Sequence, residues 1–211
     1  MGNLEKLYHS STLKAINDIQ RNGFKKVTPW PRNLNFLTSQ KKTDYLGNFG
    51  IGTYAFLNNP ELSVLFIKDE LRHSYNQGYG TVEFELEKNV IENNEERKTN
   101  ILDLRPNTTD LDYFKSYLNK YRDAINYALK NFKKVNGNSK IKLAGAIVEY
   151  FIWNHLKDKE GKRIMCDAVY GASVTDDVFN LAIPDGIECC IRNIKIIDNN
   201  SIRLYTSSER S

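Results

Sequence analysis

Residues 50–67 read GIGTYAFLNNPELSVLFI, and this stretch decides the fold. Gly50 and Gly52 lead into Thr53, Tyr54, Ala55 and Phe56, a short run that suits a strand. Asn59 and Pro60 then supply a helix N-cap and a first-turn proline. Val64, Ile67, Leu71 and Tyr75 follow on one side of that helix.

Toward the N-terminus, Leu4–His9 starts a strand and Ser10 or Ser11 can cap the helix that follows through its hydroxyl. Leu13, Ile16 and Ile19 give that helix an apolar face, and Gly23 suits its stop. Lys25 to Asn48, interrupted by Pro29 and Pro31, reads as a long polar loop. Downstream, Thr81–Lys88 alternates, with Val82, Phe84 and Leu86 toward the core and Glu83, Glu85 and Glu87 toward water. Leu111, Phe114, Leu118, Tyr121, Ile125, Ala128 and Phe132 repeat at three and four residues, the pattern of one amphipathic helix ended by Asn136-Gly137-Asn138. A second helix over about 142–156 is apolar nearly all round, hence buried. Strand character returns at Ile164–Tyr170, Glu188–Arg192 and Ile202–Tyr205. Strands, then a helical pair, then strands imply a single α+β domain over 1–211 with a helical insertion at about 108–158.

Composition bounds the function classes. With 40% hydrophobic and 27% charged residues over 211 positions, the chain can bury a sizeable core and is not disordered. A net charge of +4 permits a nucleic-acid partner without arguing for one. Cys166, Cys189 and Cys190 form neither a disulfide framework nor a Cys-rich zinc site, and no metal is expected. The N-terminus lacks the apolar run of a signal peptide, and Glu5 and Lys6 break the myristoylation pattern that Gly2 would begin. Leu143–Trp153 is too short to span a bilayer and carries Glu149. A soluble, cytoplasmic protein without a membrane partner is the expectation. No phosphate-cradling GxxxxGK or GxGxxG opens a helix, and His73 and His155 have no ligand partner at four residues.

Chemistry is carried by three residues far apart in the chain. His9 ends a strand, Tyr54 sits within one, and Glu188 stands between Ile187 and the Cys189-Cys190-Ile191 run. A carboxylate in an apolar strand must be compensated or useful. LYHSSTLKAINDIQRNGF resembles the opening of the ADP-ribosyltransferase superfamily, FGIGTYAF with NNPELSVLF its second block, and GIECCIRNIKII its third. The His–Tyr–Glu order resembles the diphtheria-toxin-like and poly(ADP-ribose)-polymerase-like branch. The three blocks cover roughly the first eighty and last fifty residues.

The resemblance implies a split β-sheet whose cleft holds NAD as a substrate. Glu188, Tyr54 and His9 would be catalytic, and His9, Ser10, Ser11, Gly52 and Tyr54 would hold the dinucleotide. Glu188 would stabilise the positive charge that builds on the ribose as the nicotinamide bond breaks. Tyr54 would offer the nicotinamide a stacking face, and His9 would bond a ribose hydroxyl. Ser10 stands where the family often has Gly, and Gly186 where arginine-directed members carry Gln or Glu, so arginine modification is not implied. The second stacking aromatic of the polymerase branch has no matching position here, Phe66 and Tyr75 being the nearest aromatics in that helix. The implied function is transfer of ADP-ribose to a protein, RNA or DNA acceptor, as in toxin or defence effectors, with an inhibitor or antitoxin protein as a candidate partner. An NAD glycohydrolase and a catalytically silent nucleotide-binding or interaction module are the alternatives. Lys25, Lys26, Arg32, Lys41 and Lys42, with Trp30, Phe36 and Tyr45 interleaved, fit either a nucleic-acid contact or a surface loop pinned by its aromatics.

Overall fold

A computed structural model describes residues 5–26, 46–70, 78–92, 94–136, 140–173 and 185–206. Leu71, His73, Tyr75, Gly137, Asn138 and the segment with Trp30, Arg32, Phe36, Lys41, Lys42, Asp44 and Tyr45 lie outside the described residues, as does Gly2.

The first strand, β1 (Leu7–Thr12), runs three residues past His9 before α1 (Leu13–Asn22) begins. The helix is capped by Thr12, whose hydroxyl accepts from the Ala15 amide, and not by Ser10 or Ser11. Both serines remain in the ladder with β3 (Tyr79–Phe84), opposite Thr81 and Gly80. Any of the three hydroxyls can cap; strand pairing decides which. Ile16 is fully buried, while Leu13 is half exposed. Gly23 ends α1 with φ +71° and returns its N–H to Ile19.

The deciding stretch forms β2 (Thr53–Leu57) and α2 (Pro60–Glu70), with Asn59 Oδ1 accepting from Leu62 N at 3.1 Å as the N-cap. Leu62, Ser63 and Ile67 make the buried side of α2, one step round from the expected Val64. A small hairpin, β4 (Asn89–Glu92) and β5 (Glu95–Lys98), and the strand β6 (Ile101–Leu104) were not legible from the pattern. The long amphipathic repeat is two helices, α3 (Thr109–Lys120) and α4 (Arg122–Asn136), broken at Tyr121. Tyr121 N still bonds Tyr117 O, and Ile125 N bonds Tyr121 O, so the apolar repeat passes through the break unshifted. Next come α5 (Lys140–Asn154), β7 (Ala168–Ser173), β8 (Gly186–Ile191) and the edge strand β9 (Arg203–Leu204).

Seven strands form one mixed sheet in the order β6-β7-β8-β2-β1-β3-β9, and β4 pairs with β5 in a second, two-stranded sheet. The expected pair of small antiparallel sheets is therefore a single sheet with a weak seam. At the seam only Leu7 opposite Leu57 and Tyr8 opposite Phe56 are in register between β1 and β2, whereas β1 stays paired with β3 through Thr12. β6 and β7 run parallel because the chain crosses between them through α3, α4 and α5.

Opposed residues share a face of a sheet. Tyr54 opposes Cys190, and Phe56 and Gly171 both oppose Glu188, so Tyr54, Phe56, Glu188 and Cys190 point to one side. That side carries the core of Leu102, Leu104, Val169 and Cys190 against Ile125, Leu129, Phe132, Phe151 and Ile152 of the helices. The opposite side packs Leu7, Ala55, Val82, Phe84 and Ile191 under Ile16, Phe24 and Ile196. No helix among the described residues is long and apolar enough to cross a membrane.

Candidate active site

At the seam His9 takes over where the ladder stops. Its Nδ1 lies 2.7 Å from the main-chain oxygen of Tyr54, and its ring meets Phe24 edge-on at 5.5 Å. A carbonyl oxygen only accepts, so Nδ1 carries the hydrogen. Burial pushes the His9 pKa below its usual value, against the opposing pull of that bond. The ring is thus neutral at pH 7, and Nε2 keeps its lone pair as an acceptor.

Tyr54 has a local partner on each side of its hydroxyl. It donates to Gly50 O at 2.7 Å and accepts from Phe49 N at 3.1 Å. It thereby pins the turn in which Gly47 and Gly50 exchange backbone bonds at 3.2 and 3.3 Å. A Cβ at Gly47 would fall 2.4 Å from the Tyr54 hydroxyl, so the turn lies flat on the ring. Burial, then Cys190, then Glu188 raise the phenol well above its ordinary pKa. The hydroxyl is a fixed clamp, not a titrating group.

Glu188 is 3% exposed in the central strand β8. Burial lifts its pKa from 4.5 to about 7, although a hydrogen bond from the Asn48 side chain pulls the other way and Asp185 adds to the rise. Among the described residues its Oε2 has no hydrogen-bond partner. A buried carboxylate oxygen left unpaired is costly and calls for a functional reason. Asn48 stands in the turn that Tyr54 clamps, so Tyr54 acts on Glu188 through Asn48 as well as from the neighbouring strand.

The remaining candidates have structural work. Ser10 is buried and joins three elements: its hydroxyl lies 2.7 Å from Thr81 Oγ1 and accepts from Ser63 Oγ at 2.8 Å. Ser11 is half-buried in β1 opposite Gly80. At Gly52 a Cβ would meet Ile191 O at 2.4 Å, so glycine allows β2 to start against the end of β8. Phe66 lies 5.9 Å from the Phe56 ring and is 37% exposed.

Sequence reasoning passed over the groups that hold this centre. Glu149 of α5 is fully buried, pairs with Arg192 Nη1, accepts from Ile51 N at 2.8 Å and receives the Trp153 indole at 3.2 Å. Burial alone would depress the Arg192 pKa, but the Glu149 carboxylate outweighs it and the guanidinium stays charged. Gly50, at φ +102°, lets the turn reach that pair; a Cβ there would sit 2.3 Å from Glu149 Oε1. Behind β8, Asp167 accepts both Arg97 nitrogens at 2.7 Å and Asn193 Nδ2 at 2.9 Å. The signal for Glu149 was its charge within an apolar helix, the same signal that marked Glu188.

Comparison with protein-family models, characterised proteins and solved structures finds no match.

No group of three or more His, Cys, Asp or Glu suited to a metal occurs among the described residues. A large described groove runs along α1 past Thr12, Lys14, Asp18 and Arg21, but Asp18 is already paired with Lys25 and Asn22 there. The groove lacks the unsatisfied buried group that distinguishes Glu188.

Proposed function

We propose that the chain is an NAD-dependent enzyme that transfers ADP-ribose to a macromolecular acceptor, with NAD bound at the β1–β2 seam of the sheet. The observation that carries this reading is Glu188: a buried carboxyl with one oxygen unpaired among the described residues, on the same face as Tyr54 one strand away. His9, opposite Val82, projects to the other face and meets the seam through the Tyr54 carbonyl. The resemblance of the three sequence blocks supplies the substrate.

NAD brings a cationic nicotinamide. That charge favours the ionised form of Glu188, whose pKa near 7 already leaves it balanced between states. As the C1′–N bond breaks, the electron pair leaves with nicotinamide, which becomes neutral, and positive charge moves onto the ribose. Glu188 stabilises that charge, more in the transition state than before it. The acceptor's lone pair forms the new bond to C1′, and its proton passes to Glu188, whose pKa suits a general base at neutral pH. His9, neutral with Nε2 as acceptor, receives a hydrogen bond from a ribose hydroxyl. Tyr54 faces nicotinamide with its ring while its hydroxyl keeps Asn48 on Glu188.

The test is incubation with NAD labelled in the adenylate moiety. Label on protein, RNA or DNA supports transfer. Label recovered only as free ADP-ribose converts the assignment to NAD hydrolysis, and unreacted NAD refutes it.

A further inference from the structure

Charge is unevenly divided along the chain. Residues 109–163 hold twelve Lys and Arg against six Asp and Glu, a net +6 within a chain of +4. Five of these cations lie over 130–142; Lys120 and Arg122 stand where α3 meets α4, and Lys157, Lys159, Lys162 and Arg163 stand in the hairpin after α5 that the Lys157–Arg163 bridge closes. Lys120, Lys157, Lys159, Lys162 and Arg163 are all exposed there. Lys120 and Lys157 both act electrostatically on His155, which brings the two elements to one patch. Asp158 is exposed and caps its own turn, accepting from Glu160 N at 2.9 Å and Lys162 N at 2.8 Å. Glu160 and Asp123 are the other exposed acids nearby in sequence.

Aromatic faces alternate with these cations. The Arg163 guanidinium lies 3.4 Å over the Trp153 ring, and Lys120 Nζ lies 5.2 Å over Tyr121. His155 packs in a cluster with Tyr117 at 4.3 Å and Tyr121 at 4.7 Å, its ring tilted to both. Burial, then Lys157, then Lys120 depress the His155 pKa, so the patch is short of negative charge. A guanidinium held flat on an indole presents its outer plane already oriented, and bases stack on such planes. An acidic peptide would use the cations but leave the flat faces idle; a single strand uses both.

We infer that the end of the helical bundle, centred on Lys120, His155, Lys157 and Arg163, is a docking surface for single-stranded nucleic acid. Phosphates lie along the lysines, and a base stacks on the Arg163–Trp153 pair. The surface is independent of the NAD reading and stands or falls separately.

The experiment is fluorescence anisotropy of a labelled, mixed-sequence single strand against the full chain at several salt concentrations. The triple variant Lys120→Glu, Lys157→Glu, Arg163→Glu should bind at least about ten-fold more weakly, with the salt slope reduced by about 2. Its melting temperature, read by circular dichroism, should match that of the parent. On the parent itself, NMR should show the His155 pKa rising when the strand binds, since phosphates supply the missing negative charge. Binding by the triple variant equal to the parent, a His155 signal unmoved by the strand, or displacement of the strand by polyglutamate as readily as by unlabelled strand would overturn the inference. The last result would assign the surface to an acidic protein.

Discussion

The imidazole of His9 donates to the main-chain oxygen of Tyr54 at 2.7 Å, closing with a side chain the seam that the β1–β2 ladder leaves open. His9→Phe keeps the ring and removes the donor, so the Tyr54 oxygen loses its partner. A loss of about 1–3 kcal/mol is expected in urea unfolding at pH 7. An unchanged midpoint would show that the seam does not depend on this bond.

The same histidine predicts a pH trend. Its folded pKa lies below the unfolded value of 6.5, so the unfolded chain takes up the proton first as pH falls. Its contribution to stability is therefore present above about pH 6.5 and declines below it. The difference in stability between the parent and His9→Phe should shrink on going from pH 7 to pH 5.

Glu188 acts with the opposite sign. Its folded pKa of about 7 exceeds the ordinary 4.5, so between those values the folded state holds a proton that the unfolded chain has lost. Stability falls as pH rises from about 4.5 to 7, by about 3 kcal/mol at most. Glu188→Gln should flatten that slope and be the more stable protein at pH 8. A parallel pH profile for the two proteins would remove the buried carboxyl from the account.

Tyr54→Phe deletes the hydroxyl that holds Phe49 N and Gly50 O but retains the ring. The expected cost is about 1–3 kcal/mol, with faster hydrogen exchange at the Phe49 amide. With Asn48 less firmly held, the Glu188 pKa should rise further, which carboxyl NMR titration would register.

Glu149→Ala leaves Arg192 charged and largely covered without its carboxylate. A destabilisation of about 3–5 kcal/mol is expected. Arg192→Ala should cost a similar amount, and the double variant much less than the sum. Additive losses would mean the two residues do not act as a pair.

Local rules were legible where one signal dominated. Asn59-Pro60 capped α2, Gly23 stopped α1, and the apolar run over 142–156 fell on α5 within two residues at each end. They failed where tertiary pairing chose among equal local options. Ser10, Ser11 and Thr12 can each cap a helix, and the β3 ladder selected Thr12. The repeat through Tyr121 hid a helix break because its backbone bonds stay in phase. Charged, Asn-rich residues 89–98 lack strand patterning and pair only as a surface hairpin. At the candidate site, His9, Tyr54 and Glu188 were legible as residue types in order. Asn48, Glu149 and Arg192 were not, because their roles arise from contacts 43 to 140 residues apart that no local spacing records.

Nicotinamide release from NAD by the parent and by Glu188→Gln, at equal folded concentration and pH 8, tests the central proposal most directly. The substitution preserves side-chain volume and removes the negative charge. The account predicts a fall in turnover of about 100-fold or more, the scale of losing one electrostatic stabiliser, with NAD affinity by calorimetry little changed. Equal turnover by Glu188→Gln, or no nicotinamide release by the folded parent, would contradict it.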